Sequence, residues 1–212
     1  MHIEVQYGDG KECVELPEEN LGEIVHPKDL PPLDETAVLD GAFKNPLGSQ
    51  TLEEFIKRAK DILVVVNDAT RPTPSGRILE SMMPHFQGKT VNYIIATGMH
   101  RAPTEEEFKF IFGPVYDRVK DHVLVHDSKA SETSFVGVSR NGTRLLLNRK
   151  VVDAHSIIVI SSVEPHYFAG YTGGRKSFLP GVSAYETIEQ NHKLALRLEA
   201  QSLRLKGNPV HE

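Results

Sequence analysis

Two rhythms of apolar positions run through the middle of the chain. In residues 51–60 (TLEEFIKRAK), 73–86 (TPSGRILESMMPHF) and 104–113 (TEEEFKFIFG) they recur three and four apart, which predicts helices. Residues 61–68 (DILVVVND), 89–98 (KTVNYIIATG), 121–127 (DHVLVHD) and 155–163 (HSIIVISSV) hold continuous apolar runs, which predict strands buried on both faces. Strands alternating with helices imply an α/β fold: a largely parallel sheet flanked by helices, Rossmann-like. Thr73-Pro74 reads as an N-cap with proline at the first helical position, and Thr104 with Glu107 as a capping box.

The flanks follow other patterns. Residues 2–8 and 12–17 read as an N-terminal hairpin turning at residues 8–10, and the Pro-rich stretch 26–35 as loop. Residues 131–154 interrupt the alternation with a β-hairpin insertion, where Asn141-Gly142 predicts a type I′ turn. Residues 183–205 carry helical spacing over more than five turns, with Ser183 and Glu186 as a possible capping box. That helix pattern and the Gly-Asn-Pro stop after it suggest a piece of something longer.

Composition narrows the partners more than the fold. A net charge of −5 gives no basic face for nucleic acid, and no apolar stretch is long enough to span a membrane. With Cys13 the only cysteine, an intrachain disulfide or a cysteine-built metal site is excluded, and the cytoplasm is the expected compartment. Ten histidines are many for 212 residues.

Ligands of open parallel sheets bind beyond the carboxyl ends of the strands. There the sequence puts Asn67, Asp68 and Arg71 after the first run, His100 and Arg101 after the second, His126 and Asp127 after the third, and His166 after the last. The loop 67–76 (NDATRPTPSG) reads either as a helix-capping turn or as a carboxylate site in which Arg71 offers its planar fork, Asp68 orienting Arg71 or a histidine; spacing leaves both open. Residues 161–181, SSVEPHYFAGYTGGRKSFLPG, lack the glycine that a P-loop needs before its lysine. Gly173 and Gly174 instead permit close approach of backbone to a bound group, beside Lys176, a nucleophile or covalent tether if burial or Arg175 lowers its pKa. His192 falls on an apolar stripe of the last helix, as a buried core residue or a ligand.

The segments DATRPTP, TGMHR, EPHYFAGYTGGRKSFLPG and TIEQNH, in this order over residues 68–192, resemble the N-terminal part of the nickel-pincer-nucleotide lactate racemase family, and GNPVHE fits it as well. The resemblance implies that residues 1–212 are an incomplete enzyme, an N-terminal cofactor-binding and catalytic domain that lacks a C-terminal domain. It implies an isomerase that racemises a small 2-hydroxy acid, lactate by default, through hydride transfer to its cofactor. That cofactor is a pyridinium-3-thioamide-5-thiocarboxylic acid mononucleotide carrying nickel, joined through a thioamide to Lys176 and supplied by cofactor-synthesis proteins. By the same resemblance His192 is the nickel ligand, His100 and His166 the acid/base pair, Arg71 the substrate-carboxylate residue and Asp68 its neighbour in the pocket. Tyr167, Phe168 and Tyr171 would wall the flat ring, while Gly173 and Gly174 admit its phosphate and backbone contacts. Two other classes remain: a zinc hydrolase built on His100, His166 and His192, and a non-catalytic module gripping a phosphorylated ligand with Arg71 and the Gly-Gly loop.

Overall fold

The computed structural model describes residues 1–8, 10–26 and 28–212, which divide into two compact units, Met1–Asp34 and Glu35–Glu212. In the first, strands β1 (His2–Tyr7) and β2 (Gly10–Glu15) pair antiparallel as the pattern predicts. Asp9 of the expected turn and Pro27 of the Pro-rich stretch lie outside the described residues.

The second unit opens with α1 (Glu35–Lys44), a helix the sequence pattern did not announce because it buries no residue fully. Then come α2 (Leu52–Arg58), β3 (Asp61–Asn67), α3 (Ser75–Met82), β4 (Thr90–Ala96), α4 (Glu105–Phe112), α5 (Tyr116–Val119) and β5 (Val123–Val125). A hairpin of β6 (Thr133–Val138) and β7 (Arg144–Asn148), the short α6 (Arg149–Asp153) and β8 (Ile157–Ile160) follow. Last are β9 (Pro165–His166), β10 (Gly170–Tyr171) and α7 (Tyr185–Lys193). The main sheet runs β5-β4-β3-β8 with every pairing parallel. This is the expected α/β architecture, with both hairpins in place. No helix among the described residues is long and apolar enough to cross a membrane.

Strand β3 shows why its run is continuously apolar. Ile62, Val64 and Val66 point into one core with Leu79, Met82, Phe86, Ile95 and Phe112, while Leu63 and Val65 point into another with Ile94, Val151 and Val182. Helices therefore cover one face, and α6 with the 178–182 loop covers the other. The register aligns Asn67 with Ala96 and Val66 with Ile160, so the chain leaves these strands at a common edge.

Both Thr51 and Thr104 head complete capping boxes, with Glu54 and Glu107. Three local expectations are corrected. The hydroxyl of Thr73 accepts from Asn67 Nδ2, and α3 starts at Ser75 with Pro74 as its N-cap, so the cap lies one residue later than the motif suggested. The 139–143 loop closes through the Ser139 amide donating to Thr143 O; Gly142 has φ +86° but Asn141 is not in the left-handed region, which a type I′ turn requires of both. Helix α7 stops at Lys193, and a 3-10 turn, Leu194–Leu196, follows. Leu196 and Leu198 are 89% exposed, so their helical spacing has no core to serve. Ser183, fully buried, caps nothing: its Oγ donates to Phe178 O, and Ala184 precedes α7.

At Gly76 in α3 an added Cβ would lie 2.6 Å from the backbone oxygen of Phe112 at the end of α4. Gly76→Ala must push these helices apart, an overpacking cost of about 1–3 kcal/mol that chemical denaturation should read as a lowered midpoint.

Candidate active site

At the carboxyl edge of the sheet, the loop after β3 and the loop after β4 meet across Asp68. Its Oδ1 accepts from the Thr70 amide (3.1 Å) and hydroxyl (2.6 Å), and its Oδ2 lies 2.6 Å from His100 Nδ1. The Asp68 side chain is 8% exposed and that of His100 is 54% exposed, so a fixed carboxylate holds an accessible imidazole. A carboxylate at Nδ1 places the proton there and leaves the Nε2 lone pair available, the arrangement of a general base. Asp68 thus orients the histidine and not Arg71, settling that alternative.

Arg71 faces the segment after β8 and pairs with Glu164 at 3.9 Å. Sequence reasoning gave Glu164 no role, although its spacing of two from His166 was the available signal. The same segment forms the β9–β10 pair, where Gly170 (φ +82°) is required because a Cβ would sit 2.2 Å from Arg204 O. At Gly173 (φ +78°) a Cβ would meet Ser162 O at 2.9 Å, whereas at Gly174 it would meet nothing within 4 Å. The loop is thus pressed onto the segment after β8 at one glycine and bare at the next. Gly98 N donates to Gly181 O (2.9 Å), tying the β4 loop to the segment that carries Lys176.

Asp68, Arg71, His100, Gly173 and Lys176 line one cleft of about 500 Å³. Lys176 also lines a second cavity of about 840 Å³ with Leu145, Leu147, Phe178 and Arg175. Its Nζ lies 3.2 Å from His166 Nε2 and 5.5 Å from the centre of the Phe168 ring. Burial, and after it the charge of Arg71, lowers its pKa to about 8. Of the two causes the sequence offered, burial is the one that acts; the Arg175 guanidinium turns to His211 O. His166 stacks on Tyr167 (4.8 Å) and meets Phe168 edge-on, and Phe168 in turn meets His192 edge-on at 5.4 Å. The aromatics therefore pack around the two imidazoles. Burial is the main cause that pushes His166 down to about 4, with Lys176, Arg71 and His192 adding to it, and burial followed by Lys176 also lowers His192.

His126 drops out of the strand-end series. It is 1% exposed, with Nε2 against Ser183 O (2.9 Å) and Nδ1 against Asn148 Nδ2 (3.1 Å), a strut between sheet and hairpin. Arg101 forks onto Glu107 at 2.7 and 2.8 Å and serves the α4 cap. Among the described residues no three His, Cys, Asp or Glu side chains converge on a possible metal position, which removes the support for a zinc site of His100, His166 and His192.

Below its unfolded pKa of 6.5, His166 takes up a proton more readily unfolded than folded, until pH falls to about 4. Its contribution to stability is therefore lost as pH drops through that window. The melting temperature of wild type should fall more steeply between pH 6.5 and 4 than that of His166→Phe.

A parallel α/β domain with a half-buried lysine, clustered imidazoles and a bare glycine loop at the carboxyl edge of its sheet has its candidate site where open α/β sheets place their ligands. The chain belongs to the lactate racemase N-terminal domain family, whose model matches residues 7–203. It is 34% identical to the lactate racemase of Thermoanaerobacterium thermosaccharolyticum over 99% of this chain and 51% of that protein. The lactate racemase of Lactiplantibacillus plantarum is 31% identical over 85% of this chain and 44% of that one. The apoprotein structure of the Thermoanaerobacterium enzyme superposes with a TM-score of 0.86 at 33% identity, over all of this chain and 51% of that one. A Thermotoga maritima crystal structure shares the fold, with a TM-score of 0.69 at 23% identity, over 85% of this chain and 46% of that one. The chain spans about half the length of the curated relatives it matches.

Proposed function

We propose that this chain is the cofactor-binding, catalytic N-terminal half of a 2-hydroxy acid racemase, with lactate as substrate and a C-terminal domain completing the site. The observation that carries this reading is Lys176: a half-buried amine lowered to about 8, set against the His166 imidazole and lining a glycine-lined cleft.

The residues fit a tethered nickel-pincer nucleotide. Lys176 offers a nucleophilic nitrogen for the thioamide, and Gly174 leaves open space beside it. His192, held edge-on to Phe168, would offer one imidazole to nickel. When bound, the nickel-pincer nucleotide supplies the hydride acceptor.

In the proposed mechanism the chain's own residues bind the substrate and move its hydroxyl proton. Arg71 receives the carboxylate through its planar fork, exchanging its loose contact with Glu164 for a tighter one. His100 Nε2, its ring fixed by Asp68, takes the hydroxyl proton of one enantiomer and returns it. His166 does the same for the other, whose hydroxyl lies on the opposite side. In the free protein burial is the main cause that holds His166 at about 4; once Lys176 is joined as an amide, no ammonium can form beside the ring, which favours the proton uptake a base needs. Cofactor-synthesis proteins would be partners, in the cytoplasm.

The complete protein, made in a host that supplies the cofactor, should turn a single lactate enantiomer into a mixture of both. Loaded protein that leaves enantiomeric purity unchanged would contradict the assignment to lactate.

A further inference from the structure

The contacts on the two sides of the His166 ring bear on the state of Lys176. The amides of Phe168 and Ala169 donate to Nδ1 from 3.5 and 3.3 Å. Since Nδ1 cannot both accept these hydrogens and carry one, the single proton of the neutral ring sits on Nε2. Nε2–H faces Lys176 Nζ at 3.2 Å. Only an amine with a free lone pair accepts that hydrogen; an ammonium would set N–H against N–H.

We infer that His166 is a positioning residue for Lys176, donating from Nε2 to favour the lysine's uncharged amine form, which attacks an activated carboxyl or thiocarboxyl group. The inference rests on Lys176 being the tether, and it gives His166 a task before any turnover. The surroundings agree. Arg71 and burial disfavour the ammonium, and His192 adds no counter-charge from beyond Phe168. Asp68 lines the same cleft, but its carboxylate is committed to Thr70 and His100. Glu164 is paired with Arg71, and Arg175 points to His211. The Phe168 ring face, 5.5 Å from Nζ, is the contact that favours the charged form, and it is outweighed.

In the attachment step the Nζ lone pair forms a C–N bond at the carboxyl or thiocarboxyl carbon. The leaving group departs with its bonding pair, and the surplus nitrogen proton passes to it or to water, with no change of oxidation state. An amide nitrogen has no lone pair to offer Nε2–H. Joining Lys176 therefore ends this hydrogen bond and lets the ring proton leave Nε2, as the role of a base at that nitrogen requires.

The test uses the complete protein made without the cofactor-synthesis proteins and labelled with p-nitrophenyl acetate at a series of pH values. Acetylation at Lys176 is followed by peptide mass, with Lys60 as a surface control. Wild-type Lys176 should label with a midpoint near pH 8. His166→Phe, which keeps a ring but has no donor, should raise that midpoint by about one unit and cut labelling at pH 7 about tenfold. His166→Gln, whose amide can donate, should recover part of the loss. An unchanged midpoint in His166→Phe would overturn the inference. Ring 15N shifts of wild-type His166 give a second reading that needs no variant: an Nε2–H tautomer supports it, and Nδ1–H overturns it. Neither readout involves nickel, so a protein that takes up no cofactor yet passes both tests would sink the racemase reading and leave this pairing standing.

Discussion

Replacing His100 or His166 by asparagine in the complete, cofactor-loaded protein lowers kcat for racemisation by a factor on the order of 10²–10⁴, the usual contribution of a positioned acid or base. Under the proposed mechanism the loss is the same from either enantiomer, because the histidine that is base in one direction is acid in the other, and every turnover uses both. Asp68, 2.6 Å from His100 Nδ1, acts only through that histidine, so Asp68→Asn should show a smaller loss of the same kind. Rates must be divided by bound nickel, since His166 also governs the state of Lys176. Enantiomer-resolved initial rates check the prediction, and wild-type kcat per nickel in either histidine variant would contradict it.

Arg71→Ala raises KM for the 2-hydroxy acid by roughly 10- to 100-fold, from a hydrogen-bonded charge worth about 1.5–3 kcal/mol. The fall in kcat is smaller, because the carboxylate is held alike before and during the reaction. Arg71→Lys should not restore the wild-type value: a compact ammonium replaces the planar fork, and the contact to Glu164 at 3.9 Å shows that the guanidinium has no rigid partner to inherit. Steady-state kinetics on the loaded variants decide this. A KM unchanged in Arg71→Ala would move the carboxylate site elsewhere.

The parallel sheet was legible because β3 and β4 are buried on both faces, which leaves continuous apolar runs that few other structures produce. Helix α1 was not, since it buries no residue fully and its pattern carries little signal. The end of α7 misled in the opposite sense: spacing through Leu196 and Leu198 continues where no neighbour exists to be packed against. At the candidate site, strand-end logic proposed Asp68, Arg71, His100 and His166 together with His126, because residue type at a strand end does not say whether both ring nitrogens are already satisfied. Which partners meet depends on loops that cross between strands. The approach of Lys176 to His166, ten residues apart on either side of Gly173, and the pairing of Arg71 with Glu164 are of that kind. Of the two causes the sequence offered for the lysine's lowered pKa, burial acts and Arg175 does not, that neighbour in sequence being turned away in space.

The most direct test of the central claim is the intact mass and nickel content of the complete protein produced in a host that makes the pincer cofactor, with Lys176→Ala alongside. The account predicts a mass increase of cofactor size and about one nickel per chain, as one tether and one imidazole ligand require, both lost in the variant. An unmodified mass and no nickel, in a host that loads an authentic lactate racemase, would contradict it.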